Sequence, residues 1–205
     1  MLICKMKHKS GFVNIIGNPN VGKSTLMNSL IGQDLSIITS KAQTTRHRIK
    51  GILSDENYQI VFSDTPGVIK PAYKLQESMM QYVKSAFQDA DVIMYVVEIG
   101  EKGLKDNDIF EKIQQLKIPL IILLNKIDLV SQEKVLEEIE NWTSKFSTAK
   151  VLPISALNGF NINEVIELIL EVLPESPAYY SKDDVTDKSE RFFIEEIIRE
   201  KILKH

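Results

Sequence analysis

The sequence predicts an α/β fold in which a mostly parallel, six-stranded sheet carries helices on both faces. Short apolar runs, typical of strands buried on both faces, alternate with stretches of helical periodicity over residues 12–173. Polar motifs follow directly after several of the apolar runs. Because ligands bind such sheets at the carboxyl ends of the strands, we expect these motifs to form one site.

The elements follow one another in a regular order. Strands are predicted at residues 12–16, 49–53, 58–63, 92–97, 119–124 and 151–154. The tetrapeptide Ser54-Asp55-Glu56-Asn57 separates the second run from the third, which predicts a hairpin. Helices are predicted from Ser24 onwards and at residues 75–89, 106–116, 132–146, 161–173 and 191–203.

Length and composition suggest one domain and part of another. The chain has 205 residues, of which 43% are apolar, as is ordinary for a globular protein. We expect a tail at residues 1–10, a main domain at 11–173, a linker at 174–186 and a second unit at 187–205. A single helix cannot build a core, so the second unit is expected to be a truncated domain.

Charge, cysteine content and hydropathy exclude several classes of protein. The net charge of −3 gives no global basic field for nucleic acid, so any RNA contact is expected to be local or outside this chain. The single cysteine, Cys4, excludes an internal disulfide and fits a reducing cytosol. No apolar run approaches the roughly 20 residues of a membrane span, and residues 1–10 lack the apolar core of a signal peptide.

A phosphate-binding loop follows the first predicted strand. Its residues match the pattern G-x-x-x-x-G-K-[ST] in full and run Gly17-Asn18-Pro19-Asn20-Val21-Gly22-Lys23-Ser24, with Thr25 next in the helix. The glycines let backbone N–H groups converge on phosphate oxygens at a helix N-terminus. We expect Lys23 to contact the β- and γ-phosphates and the Ser24 hydroxyl to bind Mg²⁺.

Two further segments are expected near the phosphates. Asp64-Thr65-Pro66-Gly67 ends the third strand; Asp64 is predicted to hold Mg²⁺ through water, and the Gly67 N–H to bond the γ-phosphate. Thr44-Thr45 lies in the segment 36–50, a candidate ordering loop, and we favour Thr45 over Thr44 as a Mg²⁺ ligand. The neighbouring Arg46, His47 and Arg48 are interpreted as a solvated loop.

The last two motifs predict the base that is bound. Asn125-Lys126-Ile127-Asp128 follows the fifth strand, and the Asp128 carboxylate can accept two N–H donors from guanine that adenine does not offer as a pair. Asn125 is expected to brace the loop and Lys126 to lie along the base. In Ser155-Ala156-Leu157, after the sixth strand, a backbone N–H is expected to meet the guanine O6.

In this order the motifs resemble those of Ras-like P-loop GTPases of the translation-factor-related class. The segment Lys41-Ala42-Gln43-Thr44-Thr45-Arg46-His47-Arg48-Ile49-Lys50-Gly51 is similar to the first switch region of the Era family of bacterial ribosome-assembly GTPases. The segments Asp187-Lys188-Ser189-Glu190-Arg191-Phe192-Phe193 and Glu196-Ile197-Ile198-Arg199-Glu200-Lys201 resemble the start of that family's C-terminal KH domain.

The resemblance implies a GTP-hydrolysing switch in 16S rRNA processing and 30S subunit assembly. It implies GTP or GDP and Mg²⁺ as ligands, a cytoplasmic location and peripheral association with the inner membrane; we also expect a monomer. The RNA-binding GxxG loop of a KH domain is expected beyond residue 205, so RNA binding by this chain is expected to be weak or lost.

The catalytic prediction rests on Lys23, Thr45, Gly67 and Asn20. Val68 occupies the position at which a glutamine orients the attacking water in Ras, and an apolar side chain cannot do so. Asn20 matches the asparagine that coordinates K⁺ in related GTPases, although it can equally serve to shape the loop. Two alternatives stay open: a nucleotide-dependent ribosome-binding module with negligible hydrolysis and, disfavoured by the residues after Asp187, a GTPase acting on tRNA or the 50S subunit.

Overall fold

The strands of the computed structural model, which describes residues 8–39, 41 and 44–204, form one six-stranded sheet. They are β1 (Lys9–Ile16), β2 (Ile49–Ser54), β3 (Tyr58–Asp64), β4 (Val92–Glu98), β5 (Leu120–Asn125) and β6 (Lys150–Pro153). The order across the sheet is β2-β3-β1-β4-β5-β6; β2 pairs antiparallel with β3 and the remaining pairs are parallel. The predicted fold class is confirmed.

Six α-helices connect or follow these strands in the described chain. They are α1 (Lys23–Ile31), α2 (Lys74–Ala86), α3 (Asn107–Gln114), α4 (Gln132–Lys145), α5 (Ile162–Val172) and α6 (Glu190–Lys204). Side chains of Asp106 and Ser131 accept backbone N–H bonds at the starts of α3 and α4, and so stabilise those ends. Each helix or strand boundary that was predicted lies within three residues of the observed one.

The sheet separates two apolar cores because its side chains alternate between the faces. In β4, Val92, Met94 and Val96 belong to the core under α1 and α5. Ile93, Tyr95 and Val97 belong to the core under α2, α3 and α4, which also contains the fully buried Trp142. Burial on both faces explains why β4 and β5 are continuous apolar runs. No helix of the described residues is long and apolar enough to cross a membrane.

Residues 174–186, the predicted linker, form a strap along the β2 side of the sheet. The N–H of Ile52 donates to Val185 O at 2.8 Å, and the Thr186 hydroxyl donates to Lys50 O at 2.7 Å. The buried Gln59 carboxamide accepts the N–H groups of Tyr179 and Tyr180 at 2.8 and 2.9 Å. The strap therefore covers the β2 edge of the sheet.

The amino-terminal strand is longer than predicted. It begins at Lys9, inside the predicted tail, because Lys9 and Ser10 pair with Tyr58 and Gln59 of β3. The predictions made for Cys4 and the rest of residues 1–7 lie outside the described residues, as do those parts of the first-switch and terminal segments that fall on Ala42, Gln43 and His205.

Candidate functional site

A cavity of about 400 Å³ opens at the carboxyl edge of the sheet. Chain connections leave the neighbouring strands β1 and β4 in opposite directions, and such a switch point is where open α/β sheets bind ligands. The lining combines the phosphate loop, the ordering loop and two later motifs: Pro19, Asn20, Gly22, Lys23, Ser24, Ile37, Ile38, Thr39, Thr44, Thr45, Gly67 and Lys126. The fold thus brings together motifs that are far apart in sequence.

The phosphate loop leads directly into helix α1. Gly22 precedes the helix with a φ of 97°, and a Cβ atom there would lie 2.2 Å from Asn125 Nδ2, so both backbone and space require glycine. Asn20 also has a left-handed φ of 64°. The first turn of α1, which includes Lys23, Ser24 and Thr25, carries no acidic residue. This helix end is therefore suited to an anion.

Lys23 is a buried cation at the floor of the cavity. Its Nζ donates to Asn18 O at 2.7 Å, and only 6% of the residue is exposed. Burial lowers the pKa of Lys23 to about 8, although the negative charges of Asp64 and Glu101 act to raise it. The side chain has already lost most of its hydration, so an arriving phosphate would supply a counter-charge without a further large desolvation cost.

Three predicted Mg²⁺ ligands meet beside Lys23. Ser24 Oγ donates to Asp64 Oδ2 at 2.7 Å, and Thr45 Oγ1 lies 3.1 Å from Ser24 Oγ and 3.3 Å from Asp64 Oδ2. Thr44 Oγ1 instead bonds Thr39 Oγ1 and Lys41 O, so the geometry favours Thr45 as the ligand.

The environment of Asp64 fits a hard cation. Asp64 is fully buried, and its Oδ1 has no hydrogen-bond partner within the part of the chain that the structure describes. Burial raises the pKa of Asp64 despite the nearby charge of Lys23 and the hydroxyls of Ser24 and Thr45. One carboxylate and two hydroxyls suit Mg²⁺, which usually completes its shell with phosphate oxygens and water.

The Asp64-Thr65-Pro66-Gly67 loop packs against the phosphate loop. A Cβ atom on Gly67 would lie 2.7 Å from the backbone of Pro19, so a larger residue would push the two loops apart. The Thr65 hydroxyl donates to Ile15 O at 2.7 Å, and the Val68 N–H donates to Gly17 O at 3.0 Å. The Val68 side chain is fully buried in the core, so it cannot face a water molecule at the phosphates.

Asn125, the first residue of the Asn-Lys-Ile-Asp motif, is held by hydrogen bonds at both ends of its carboxamide. Asn125 Nδ2 donates to Val21 O at 2.7 Å, and Asn125 Oδ1 accepts the Ala156 N–H at 2.9 Å. This side chain therefore links the phosphate loop to the β6 end, in the bracing role predicted for it. The predicted contact of a backbone N–H in residues 155–157 with guanine O6 stays a prediction.

Of the two charged residues in the Asn-Lys-Ile-Asp motif, Lys126 lines the cavity and Asp128 is not among the lining residues. Asp128 is exposed, and its Oδ1 accepts a hydrogen bond from the buried Ser155 Oγ at 2.6 Å, which orients the carboxylate. Lys126 Nζ forms an ion pair with Glu98 at 2.6 Å, while Leu157 is 80% exposed. The orientation of Asp128 leaves its carboxylate accessible to a ligand from the solvent side.

Three contacts of the site were not predicted. The solvated-loop interpretation is wrong for Arg48, whose side chain is 12% exposed and is paired with Asp89. Asn18 Nδ2 donates to Glu101 Oε1 and Gly103 O, which ties the phosphate loop to the residues after β4. Arg199 of α6 donates to Thr44 O at 2.6 Å. No local pattern identifies these residues, because their partners are distant in sequence.

A phosphate loop, a hydroxyl-carboxylate cation site and an Asn-Lys-x-Asp base motif on this sheet define a Ras-like P-loop guanine-nucleotide-binding domain. A family model described as 50S ribosome-binding GTPase matches residues 12–126. A curated relative, GTPase Era of Staphylococcus haemolyticus strain JCSC1435, is 45% identical over 198 residues, which cover 96% of this chain and 66% of the relative. The chain belongs to the Era family of GTPases.

Solved structures agree with this assignment. A crystal structure of Era with MgGDPNP and nucleotides 1506–1542 of 16S ribosomal RNA is 40% identical, with a TM-score of 0.89, over 95% of this chain and 67% of that one. An Aquifex aeolicus Era variant bound to GDP·AlF4⁻ is 39% identical, with a TM-score of 0.88, over 94% of this chain and 66% of that one. The chain thus spans about two thirds of the length of these relatives.

Proposed function

We propose that this chain binds GTP and hydrolyses it to GDP and phosphate, as a switch in 16S rRNA processing and 30S subunit assembly. The observation that carries the proposal is the cavity lined by the buried Lys23 and by Ser24, whose Oγ donates to the buried Asp64 carboxylate at 2.7 Å. Family membership supports the same activity, and Era has been crystallised with MgGDPNP.

The residues supply positioning and charge rather than a general base. A water oxygen forms the new bond to the γ-phosphorus and its proton passes to a γ-phosphate oxygen, while the bond to the β–γ bridging oxygen breaks and GDP leaves with that electron pair. Lys23 and the backbone N–H groups of residues 17–24 stabilise the charge that develops on the phosphate oxygens. Mg²⁺, held by Ser24, Thr45 and Asp64, neutralises β- and γ-phosphate charge when bound. Because Val68 is buried, hydrolysis depends on these electrostatic contributions.

The proposal extends to K⁺ as a second cation near the phosphates. Asn20 lines the cavity three residues before Lys23, and its carboxamide oxygen is the type of ligand that K⁺ accepts. A positive charge there would take the place of the arginine finger that other GTPases use. The left-handed backbone of Asn20 fits the alternative, that this residue only shapes the loop.

Measuring phosphate release from GTP in K⁺ and in Na⁺ tests two proposals: that the chain hydrolyses GTP, and that K⁺ bound at Asn20 assists hydrolysis. We expect Mg²⁺-dependent GTP hydrolysis at about 10⁻⁴ to 10⁻² s⁻¹, the range of unassisted GTPases, and a faster rate in K⁺ than in Na⁺. In Asn20→Gly the K⁺ advantage should disappear while the Na⁺ rate persists. Glycine accepts the φ of 64°, so this variant removes the carboxamide without straining the loop.

The possible outcomes separate the two functions. Equal rates in K⁺ and Na⁺ would exclude the K⁺ role and leave the GTPase proposal standing. Phosphate release seen only after 30S subunits are added would instead favour the binding module with negligible hydrolysis of its own, the alternative that the buried Val68 keeps open.

The proposed RNA partner is 16S rRNA, contacted through a KH domain that begins near Asp187. Era was crystallised with a segment of that RNA, and residues 190–204 form a helix as the resemblance implies. No glycine follows Gly159, so the chain contains no GxxG loop after Asp187. Cytoplasmic location, peripheral membrane association and the monomeric state stay predictions.

The chain alone is expected to bind RNA weakly and without sequence preference. An RNA of the 16S 3′ end and a scrambled RNA of equal length should bind alike, with Kd of about 10⁻⁶ to 10⁻⁴ M that weakens with salt. Fluorescence anisotropy at two salt concentrations measures this. Selective binding of the 16S sequence would show that residues 1–205 already contain the recognition surface, contrary to the KH assignment.

A further inference from the structure

Arg48, near the end of the ordering loop, has a guanidinium that donates four hydrogen bonds. It immediately precedes β2, and its Nε donates to Ser63 Oγ at 3.0 Å. Its two terminal nitrogens bond both carboxylate oxygens of Asp89, at 2.7 and 2.9 Å, and Nη2 also donates to Asn14 Oδ1 at 2.9 Å. Such a bidentate pair with additional neutral acceptors fixes the orientation of a planar guanidinium.

The partners of Arg48 belong to the elements that build the nucleotide site. Asn14 lies on β1 three residues before Gly17, and Ser63 directly precedes Asp64 on β3. Asn14 Nδ2 also donates to Ala86 O, the last residue of α2, and to Asp89 Oδ1 at 2.9 Å. One side chain therefore joins the ordering loop to the phosphate-loop strand, the cation-site strand and the helix after Gly67.

The position of this anchor limits where Thr45 can lie. Arg48 lies three positions after Thr45, and three extended residue steps span at most about 10 Å. The other end of the loop is held by Asn28, which bonds the backbone N–H and C=O of Ser36 at 2.9 and 2.8 Å. Arg199 of α6 also bonds Thr44 O at 2.6 Å, so Thr45 has a fixed contact on each side, at Thr44 and at Arg48.

Arg48 does not itself face the phosphates. Successive side chains of a strand point to opposite faces, so Ser63, which bonds Arg48, points away from the face on which Asp64 meets Ser24 and Thr45. The guanidinium would have to give up its four hydrogen bonds to reach a nucleotide. Its contribution must therefore pass through the backbone to Thr45.

We infer that Arg48 is a positioning residue that holds Thr45 at Ser24 and Asp64 and couples this position to the end of α2. The inference rests on the proposed function, because Thr45 matters only if a γ-phosphate and Mg²⁺ bind there. It assigns a role in triphosphate recognition to Arg48, a residue that contacts neither the γ-phosphate nor Mg²⁺.

The expected effect of Arg48→Lys is a selective loss of triphosphate binding. Lysine keeps the charge, but a single ammonium cannot reproduce the fork to Asp89, Ser63 and Asn14. Affinity for GDPNP with Mg²⁺ should fall about tenfold, whereas affinity for GDP should change less than about twofold, because Thr45 contributes to binding only when a γ-phosphate and Mg²⁺ are present. Titration calorimetry measures both.

Two further variants complete the experiment. Asp89→Asn keeps the shape of the residue that pairs with Arg48, and it should also weaken GDPNP binding relative to GDP binding, by a smaller factor than Arg48→Lys. If Arg48→Lys does not fold, Asp89→Asn tests the inference in its place. Arg191→Lys is the matched control, since Arg191 is 88% exposed by side chain and its pair with Glu195 lies on the surface of α6. This control should change neither affinity.

The results distinguish the inference from the proposed function. Equal losses for GDPNP and GDP, or no loss in either variant, would show that Arg48 only supports the fold and would overturn the inference. If the unmodified chain bound neither nucleotide, the proposed function would fail, and the inference with it.

Discussion

Asp128→Asn is expected to change the base preference of the site from guanine to xanthine. The Asp128 side chain is exposed, and its carboxylate is oriented by Ser155 Oγ at 2.6 Å. Two acceptor oxygens match the paired N–H donors of guanine, whereas an amide places a donor against one of them. Losing two charge-assisted hydrogen bonds of about 1.5–3 kcal/mol each predicts about 10²- to 10⁴-fold weaker GDP binding.

Binding of GDP, XDP and ADP to both proteins tests this expectation. The carbonyl that xanthine carries in place of the guanine amino group accepts the new amide donor, so XDP should become the preferred diphosphate. Asp183→Asn, an exposed substitution on the strap with the same change of charge, should leave all three affinities unaltered. Unchanged GDP affinity in Asp128→Asn would contradict the assignment of the base site.

Lys23→Ala is expected to remove most of the affinity for GTP. Lys23 is the buried cation of the cavity, and burial lowers its pKa to about 8, which shows how poorly solvated its charge is before a ligand arrives. Contacts to two phosphates, each worth about 1.5–3 kcal/mol, predict about 10²- to 10⁴-fold weaker binding of Mg·GTP. Equilibrium titration with a fluorescent GTP analogue measures the change.

The control for Lys23→Ala is an equal change of charge elsewhere on the chain. Lys134→Ala removes a lysine whose side chain is 40% exposed on α4, where it pairs with Glu137 at 2.9 Å, and nucleotide binding should be unaffected. Circular dichroism of the nucleotide-free proteins checks that each variant is folded. A folded Lys23→Ala protein with the affinity of the unmodified chain would show that the cavity is not the phosphate site.

The fold could be predicted to within a few residues because its signals are local. Apolar runs such as those of β4 and β5 reflect burial on both faces of a parallel sheet, and periodicity identifies the helices between them. The prediction errs by three residues at the start of β1, since Lys9 and Ser10 are not apolar and are held by pairing with β3, and by three residues at the end of α2. Strand order came from the structure, because it depends on contacts between distant segments.

The candidate site was predicted in part. Phosphate-loop, Asp-Thr-Pro-Gly and Asn-Lys-Ile-Asp motifs are contiguous, and each contains the residue types that its chemistry requires. Their meeting point followed from the rule that ligands bind at the carboxyl ends of parallel strands. The bracing role of Asn125 could be expected from its motif, but its two partners, Val21 and Ala156, lie far from it in sequence.

The sequence by itself determined the predicted cradle: which residues are expected to surround the phosphates and which carboxylate is expected to read the base. These features depend on backbone conformations and side chains within runs of four to eight residues, so the order of amino acids specifies them directly. Only the tertiary structure decided what holds the loops around that cradle. Arg48 pairs with Asp89, 41 residues away, and Arg199 donates to Thr44 across 155 residues. Which residues form such pairs depends on how whole helices and strands pack together, so no local sequence pattern predicts them.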